Sequence, residues 1–401
     1  MAGLETMAGF GRLVIFLIGA ALLARFGIAE AAAQAIRIGV VLPYTGPLAG
    51  IGSQIERGLS LYLKEHEREL PGTSFQIIRR DDQGRPEAAA QAAQELTSRD
   101  RADVVVGGAT GASAAAIAQV TQRTQTPFIA LYAASNEITR SSPYVIRMSI
   151  AASQTSYAIG AWSARQGAKS GFVLVSDSSY GRDAELAFAA GFREGGGNVL
   201  GVERVALGSE VDFVSPLLKM KAARPNVVFA FLLSGPPSRA FLRRYYELGF
   251  AREGIRLVGP QDLAADNVIA DMGEEIRGLT TAGSYSSEAE RPQNRAFVDA
   301  WMRAYSDKTP PDFMAVAAWD GMAAIFDLTR QTKGRFSGDQ ALDFLKQWKN
   351  PGSPRGPISI DPATREAIQD IYIRRVEIRN GRAVNVEQET VPYRRGLLNL
   401  N

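Results

Sequence analysis

The sequence predicts an α/β fold built as two doubly wound parallel-sheet lobes, and three observations predict it. From Ile36 onward short apolar runs alternate with helix-period segments, the pattern that βαβ units write into a chain. That alternation starts afresh after Arg147. The third is the stretch Val104 to Ser113, V-V-V-G-G-A-T-G-A-S, an apolar strand running through a glycine turn straight into a helix start. Such a start presents unpaired backbone N–H groups at the positive end of the helix dipole and can receive an anion.

The elements follow in order. Ile36 to Leu42 reads as the first strand, and the loop Pro43 to Gly52 is rich in turn formers. Ser53-x-x-Glu56 has the spacing of a capping box, so a helix is expected from there, with Ile55, Leu59, Tyr62 and Leu63 on one face and Pro71-Gly72 beyond its end. Phe75 to Ile78 is the second strand. It leads through Asp81-Asp82-Gln83-Gly84 to a helix with Pro86 in its first turn, where a missing N–H is harmless. The Val104 strand is third, and Pro127 to Leu131 is fourth, ending in the small cluster Ala133-Ala134-Ser135-Asn136. Two strand ends carrying small residues suit the floor of a ligand pocket.

In the second half, strands are expected at Phe172 to Val175, Val199 to Val205, Val227 to Leu232 and Arg256 to Val258. Helices should begin near Gly181, Asp212, Pro237 and Asp266. A further strand lies within Gly278 to Ser287, and the helical segments Pro292 to Asp307, Phe313 to Arg330 and Asp339 to Trp348 are positioned to complete the first lobe. Asn380-Gly381 between Ile371–Arg379 and Arg382–Val386 is a hairpin signal.

The chain opens with a segment that does not belong to this pattern. Arg12 precedes an apolar run from Leu13 to Leu23, and Ala33-Gln34-Ala35 supplies the small-x-small pattern of a signal-peptidase site. Residues 1–35 are therefore expected to be a signal peptide, and the mature chain to be exported and soluble. There is no cysteine, which excludes a lipid anchor on cysteine. The 401 residues suffice for two domains of roughly 100 to 200 residues each. Lys and Arg number 45 against 42 Asp and Glu, a formal net charge of +3, and removing the leader leaves that charge unchanged. Arg243-Arg244 and Arg374-Arg375 read as solvated faces, so no nucleic-acid partner is expected.

Catalytic constellations are scarce. His66 is the single histidine and is placed at a helix end, which argues against a Ser-His-Asp triad, and with no cysteine a His/Cys metal site is excluded. Asp81-Asp82 are adjacent acids that point to opposite faces of a strand and enter a loop, a structural role. The glycine turn lacks the G-K-[ST] of a phosphate loop, and as a nicotinamide fingerprint it lacks a glycine near Ala114 and sits on a third strand. An NAD(P)-dependent oxidoreductase remains as a distant alternative. The chain is read as a non-enzyme with no cofactor and no metal.

One ordered set of motifs carries a resemblance. Ile38-Gly39-Val40-Val41-Leu42-Pro43-Tyr44-Thr45-Gly46-Pro47, Asp81-Asp82-Gln83-Gly84, Val105-Val106-Gly107-Gly108, Ala133-Ala134-Ser135-Asn136, Ser179-Tyr180-Gly181 and Val258-Gly259-Pro260 resemble, in sequence, the landmarks of leucine/isoleucine/valine-type periplasmic binding proteins. These are the solute receptors of ABC importers, and the resemblance runs from about Ile36 to Val376. It implies the type I fold with a three-crossover hinge, the lobes being 36–150 plus 284–353 and 151–283 plus 354–401. It also implies a monomer that holds a small carboxylate in the cleft and presents it to a membrane permease.

The resemblance implies site residues as well. The ligand carboxylate would meet Thr110 and Gly111 at the third-strand helix start, with Ala133 and Ser135 at the next strand end. Gly111 stands where the family commonly has Ser, and Ser135 where it often has Thr. Ile51 would supply an apolar wall and Tyr180 a pocket tyrosine. Family members that bind α-amino acids commonly place an acid directly after the Gly-Pro of Val258-Gly259-Pro260; here that position is Gln261, with Asp262 next. A second family tyrosine falls near Ser234-Gly235. A buried ammonium without a charged partner costs on the order of several kcal/mol. Either Asp262 turns inward to meet an amino acid, branched-chain or other, or the ligand is a larger carboxylate without a free amine, such as an aromatic acid. An amide or urea-type ligand sensor of the same fold is the alternative.

Overall fold

The computed structural model describes residues 34–206, 211–270 and 272–399. The expected leader therefore lies outside the described residues except for Gln34 and Ala35, which already pair with Thr73 and Ser74 at the start of the first strand.

The first sheet is parallel, in the order β2-β1-β3-β4-β5, with β1 at Gln34–Leu42, β2 at Thr73–Asp81, β3 at Val104–Gly107, β4 at Phe128–Ala130 and β5 at Val145–Arg147. β3 reads as an unbroken apolar run because helices cover both faces of such a sheet. The second sheet has the order β15-β14-β10-β9-β8-β6-β7. Its strands are β6 Ser170–Ser176, β7 Asn198–Val205, β8 Val227–Phe231, β9 Arg256–Pro260, β10 Thr280–Gly283, β14 Ile371–Arg379 and β15 Arg382–Val391. β6 to β10 are parallel; β14 and β15 add an antiparallel hairpin to one edge. Its turn uses Asn380 and Gly381, both at positive φ, as the Asn-Gly signal requires.

The chain passes between the sheets three times. It leaves β5 for β6. After β10 it returns to lay the helices Pro292–Ala304 and Phe313–Thr332 against the Ala49–His66 helix of the first lobe. It then comes back through a small sheet, β11 Lys349–Asn350, β12 Ile358–Ile360 and β13 Ala367–Ile368, to reach β14.

Buried charge ties these passages together. Arg147, at the end of β5, pairs with Glu366 in the third passage, and neither side chain is appreciably exposed. Thr139 Oγ1 donates to the same carboxylate at 2.6 Å. Arg355 bridges Asp320 of the Phe313–Thr332 helix at 2.7 Å and the Met148 carbonyl in the first passage at 2.9 Å. Each charge has a partner, as burial demands.

Three local expectations are corrected. Arg374, read as part of a solvated face, is fully buried and donates to the Tyr285 carbonyl at 2.6 Å and to Thr281 Oγ1 at 3.0 Å. The helix expected to start at a Ser53 capping box begins at Ala49, with Leu48 at the cap position and no side-chain cap bond. The turn after Pro47 is already helical, since Ala49 N–H reaches the Gly46 carbonyl and Ile51 N–H the Leu48 carbonyl. Glu56 is thereby released to take the Tyr44 hydroxyl at 2.8 Å and the Arg79 guanidinium at 2.7 Å. The helix expected near Asp266 is a single turn, Asp266–Ile269. His66 ends its helix, stacked on Tyr62 and bonded to Glu69 at 2.6 Å.

Candidate functional site

Ligands of open α/β sheets bind beyond the carboxyl ends of the strands, where strand order reverses. In the first sheet that point lies between β1 and β3; in the second it lies between β6 and β8. The loops following those four strands converge on one cleft. It is lined by Pro47 and Leu48 after β1, Thr110, Gly111 and Ala112 after β3, Ser178, Ser179 and Tyr180 after β6, and Leu232 and Leu233 after β8. Gln83, Gly84 and Pro86 close one side, and the cavity measures about 530 Å³, within the roughly 300–1,000 Å³ of small-molecule sites.

The turn that delivers Thr110 and Gly111 to this cleft depends on glycine. Gly107 and Gly108 both have positive φ, and a Cβ on Gly107 would lie 2.0 Å from the Val41 carbonyl oxygen. Only glycine lets β3 approach β1 this closely while turning into the helix. Asp81 and Asp82 do similar structural work on the neighbouring loop. Asp81 accepts from the Tyr44 and Gln83 N–H groups at 2.9 Å each and from the Thr45 hydroxyl at 2.6 Å, while Asp82 takes the Gly84 N–H at 2.9 Å.

Two helix N-termini face each other across the cleft. Thr110 caps the Gly111–Thr124 helix by accepting from Ser113 N–H at 3.0 Å, and Ser178 caps the Ser179–Glu194 helix by accepting from Gly181 N–H at 3.1 Å. Neither helix carries an acidic residue in its first turn, so no carboxylate of its own first turn offsets either positive dipole end. The lobes are in contact at this point: a Cβ built on Gly111 would come within 2.7 Å of the Tyr180 ring and 3.2 Å of Ser179 Oγ. The Tyr180 hydroxyl is buried near the Ala134 backbone without a well-formed hydrogen bond.

Behind Tyr180 sits a second polar cluster that joins the lobes. Tyr132, just past β4, donates its hydroxyl to Asp262 Oδ1 at 2.8 Å, and the Ser234 N–H donates to the same hydroxyl at 3.4 Å. Burial pushes the Asp262 carboxyl up to about 6, with the Tyr132 hydroxyl and the Arg374 charge pulling the other way. Ser234 Oγ is buried without a partner.

The sequence-predicted residues thus fall into three groups. Thr110, Gly111 and Tyr180 line the cavity. Ser234 and Asp262 gather on Tyr132 instead. The remaining four are buried elsewhere. Gln261 accepts from the Ser284 N–H at 2.7 Å and its hydroxyl at 2.9 Å. Ala133 has its N–H committed to the Gly108 carbonyl and its own carbonyl to Ser149 Oγ. Ser135 accepts the Arg147 guanidinium on its carbonyl at 2.5 Å, and Ile51 packs in the core. Leu48, Leu233, Ser179 and Tyr132 were not among the site residues expected from the sequence. The first three follow strands at the two reversal points, which is the signal that would have found them. Among the described residues no group of three or more His, Cys, Asp or Glu is arranged to hold a metal, and no helix is long and apolar enough to cross a membrane.

Comparison with known proteins agrees with this geometry. A family model described as periplasmic binding protein matches residues 35–382. The Leu/Ile/Val-binding protein homolog 6 of Brucella melitensis is 33% identical over 359 residues, spanning 88% of this chain and 91% of that protein. A solute binding protein of an ABC transporter from Rhodopseudomonas palustris BisB5, solved with 3,4-dihydroxybenzoic acid, superposes with a TM-score of 0.86 at 34% identity, covering 90% of this chain and 98% of its own. A second one from R. palustris, solved with 4-hydroxybenzoate, gives a TM-score of 0.85 at 30% identity, covering 90% and 97%. With two lobes, a three-passage hinge and a cleft at both strand-order reversals, the chain belongs to the periplasmic binding protein family.

Proposed function

We propose that the chain is the solute receptor of an ABC importer and that it captures a small aromatic monocarboxylate of the benzoate type between its lobes. The observation that carries this reading is the pair of opposed helix N-termini, Thr110–Gly111 and Ser178–Ser179, on a cavity whose remaining wall is mostly apolar, with Pro47, Leu48, Leu232, Leu233 and Pro237 and, among polar side chains, Gln83. Converging N–H dipoles favour one anionic group; the apolar walls favour a ring rather than a second charge. The hydroxybenzoates bound to the two R. palustris proteins have this chemistry.

A ligand that bridges the lobes makes contacts available only in the closed form and so shifts the hinge equilibrium toward closure. A permease that reads the closed outline then receives the solute. The leader at 1–35 would route the chain to the periplasm, where it acts as a monomer, with lobes at 36–150 plus 284–353 and 151–283 plus 354–401. We take it for a receptor rather than an enzyme. A branched-chain amino acid is the second reading, favoured by the names of the Brucella relatives.

Thermal unfolding of the mature chain with benzoate, 4-hydroxybenzoate, leucine and acetamide tests the proposal. Binding at about 100 times Kd stabilises the native state by roughly 2.7 kcal/mol, so the aromatic acids should raise Tm and the others should not. Turnover of a bound compound, or a response to leucine alone, refutes it.

A further inference from the structure

We propose that Tyr132 is a specificity-determining residue: its hydroxyl, reaching from the first lobe, occupies Asp262 of the second lobe and so withholds that carboxylate from a ligand ammonium group. This rests on the cleft being the ligand site, and it adds the residue that decides which class of carboxylate the site accepts.

The geometry is specific. Tyr132 follows β4 of the first sheet, and Asp262 and Ser234 follow β9 and β8 of the second. Three groups close on one another: the Tyr132 hydroxyl on Asp262 at 2.8 Å and the Ser234 N–H on that hydroxyl at 3.4 Å. Tyr132 is 2% exposed and packs beside Phe313, so its ring is not free to swing aside. Neither Tyr132 nor Asp262 lines the cavity. Tyr180 does line it. The neighbouring acceptor, Gln261, is likewise engaged, with its carbonyl oxygen on Ser284. An ammonium ion entering this cleft would be desolvated without an anionic partner, whereas a carboxylate without an amine meets no such penalty. Because the hydroxyl and the carboxylate come from different lobes, the bond forms when the cleft closes. Selection against the amine is then exercised at the closing step.

The test uses ligand pairs that differ only by the α-amine: phenylacetate with phenylglycine, and 4-methylpentanoate with leucine, each titrated calorimetrically. In the wild type the amine-free member should bind more tightly in any pair that binds. Tyr132→Phe removes the hydroxyl with the ring retained, and the affinity of the amine-bearing member relative to its partner should rise at least about tenfold. Adding Asp262→Asn to that variant should abolish the gain. Asp262→Asn alone keeps an acceptor for Tyr132 and should leave the ratio within about twofold, which decides the matter even if Tyr132→Phe folds poorly. A ratio unchanged by Tyr132→Phe, or amino-acid binding that collapses in Asp262→Asn alone, overturns the inference. If the aliphatic pair binds and the aromatic pair does not, the benzoate-type reading fails while the Tyr132 test still reads out.

Discussion

Gly111→Ala isolates the contact on which closure depends. The added Cβ would stand 2.7 Å from Tyr180 Cε1 and 3.2 Å from Ser179 Oγ, whereas relaxed carbon–carbon contacts lie near 3.5–4.0 Å. Roughly 0.8 Å must therefore be yielded by a tyrosine that is 3% exposed and packed near Phe231, or by the lobes themselves. Overpacking of this kind costs about 1–3 kcal/mol. Gly111 and Tyr180 belong to different lobes, so that cost falls on the closed form alone. It converts to a loss of roughly 5- to 150-fold in affinity. Within its own lobe the substitution is benign: Gly111 is the first residue of its helix and does not have positive φ, and alanine is the better helix former by up to about 1 kcal/mol. Calorimetric titration with 4-hydroxybenzoate should show the weakened Kd, with an unliganded Tm equal to or above wild type. Tyr180→Phe added to it leaves the obstructing ring carbon in place and should not restore binding. An unchanged Kd, or a fall in unliganded Tm of several degrees, would refute the reasoning.

Further predictions concern the buried charges. Burial pushes the carboxyls of Asp262 and Asp266 up to about 6 and that of Asp312 up to about 8. Acids raised in the folded state bind protons that the unfolded chain has released, so stability should fall as pH rises from about 4 to about 8, by on the order of a few kcal/mol. Chemical denaturation at pH 5 and pH 8 measures this; greater stability at pH 8 would contradict it. Asp312→Asn should flatten the upper part of that slope, since Asp312 caps the Phe313–Thr332 helix through the Met314 and Ala315 N–H groups at 2.8 and 3.2 Å and asparagine caps comparably. Arg147→Met should destabilise by about 3–5 kcal/mol in a urea titration because it strands Glu366 in the interior; addition of Glu366→Gln should recover much of that loss.

The sheet cores were legible because their signals are local. An apolar run ending in Gly107-Gly108, a proline in a first helical turn and an Asn-Gly pair each specify their own backbone geometry within a few residues. The Ser53 capping box misled for the complementary reason: the spacing was correct, but the preceding turn was already helical from Ala49 and Glu56 was drawn away by Tyr44 and Arg79. The cleft was legible where it is built from helix starts, as at Thr110, Gly111 and Tyr180. Tyr132 was not, because its partner Asp262 lies 130 residues further along the chain, and no pattern within β4 records which lobe it will touch. The fate of Gln261 depends in the same way on Ser284, which follows a different strand.

The claim at the centre of this account is that the opposed helix starts at Gly111 and Ser179 hold a negative charge. Calorimetric titration of the mature chain with 4-hydroxybenzoate and with its uncharged isostere 4-hydroxybenzamide addresses it most directly. The account predicts that the acid binds at least about tenfold more tightly, about 1.4 kcal/mol or more. Equal affinity for the two, or preference for the amide, would contradict it.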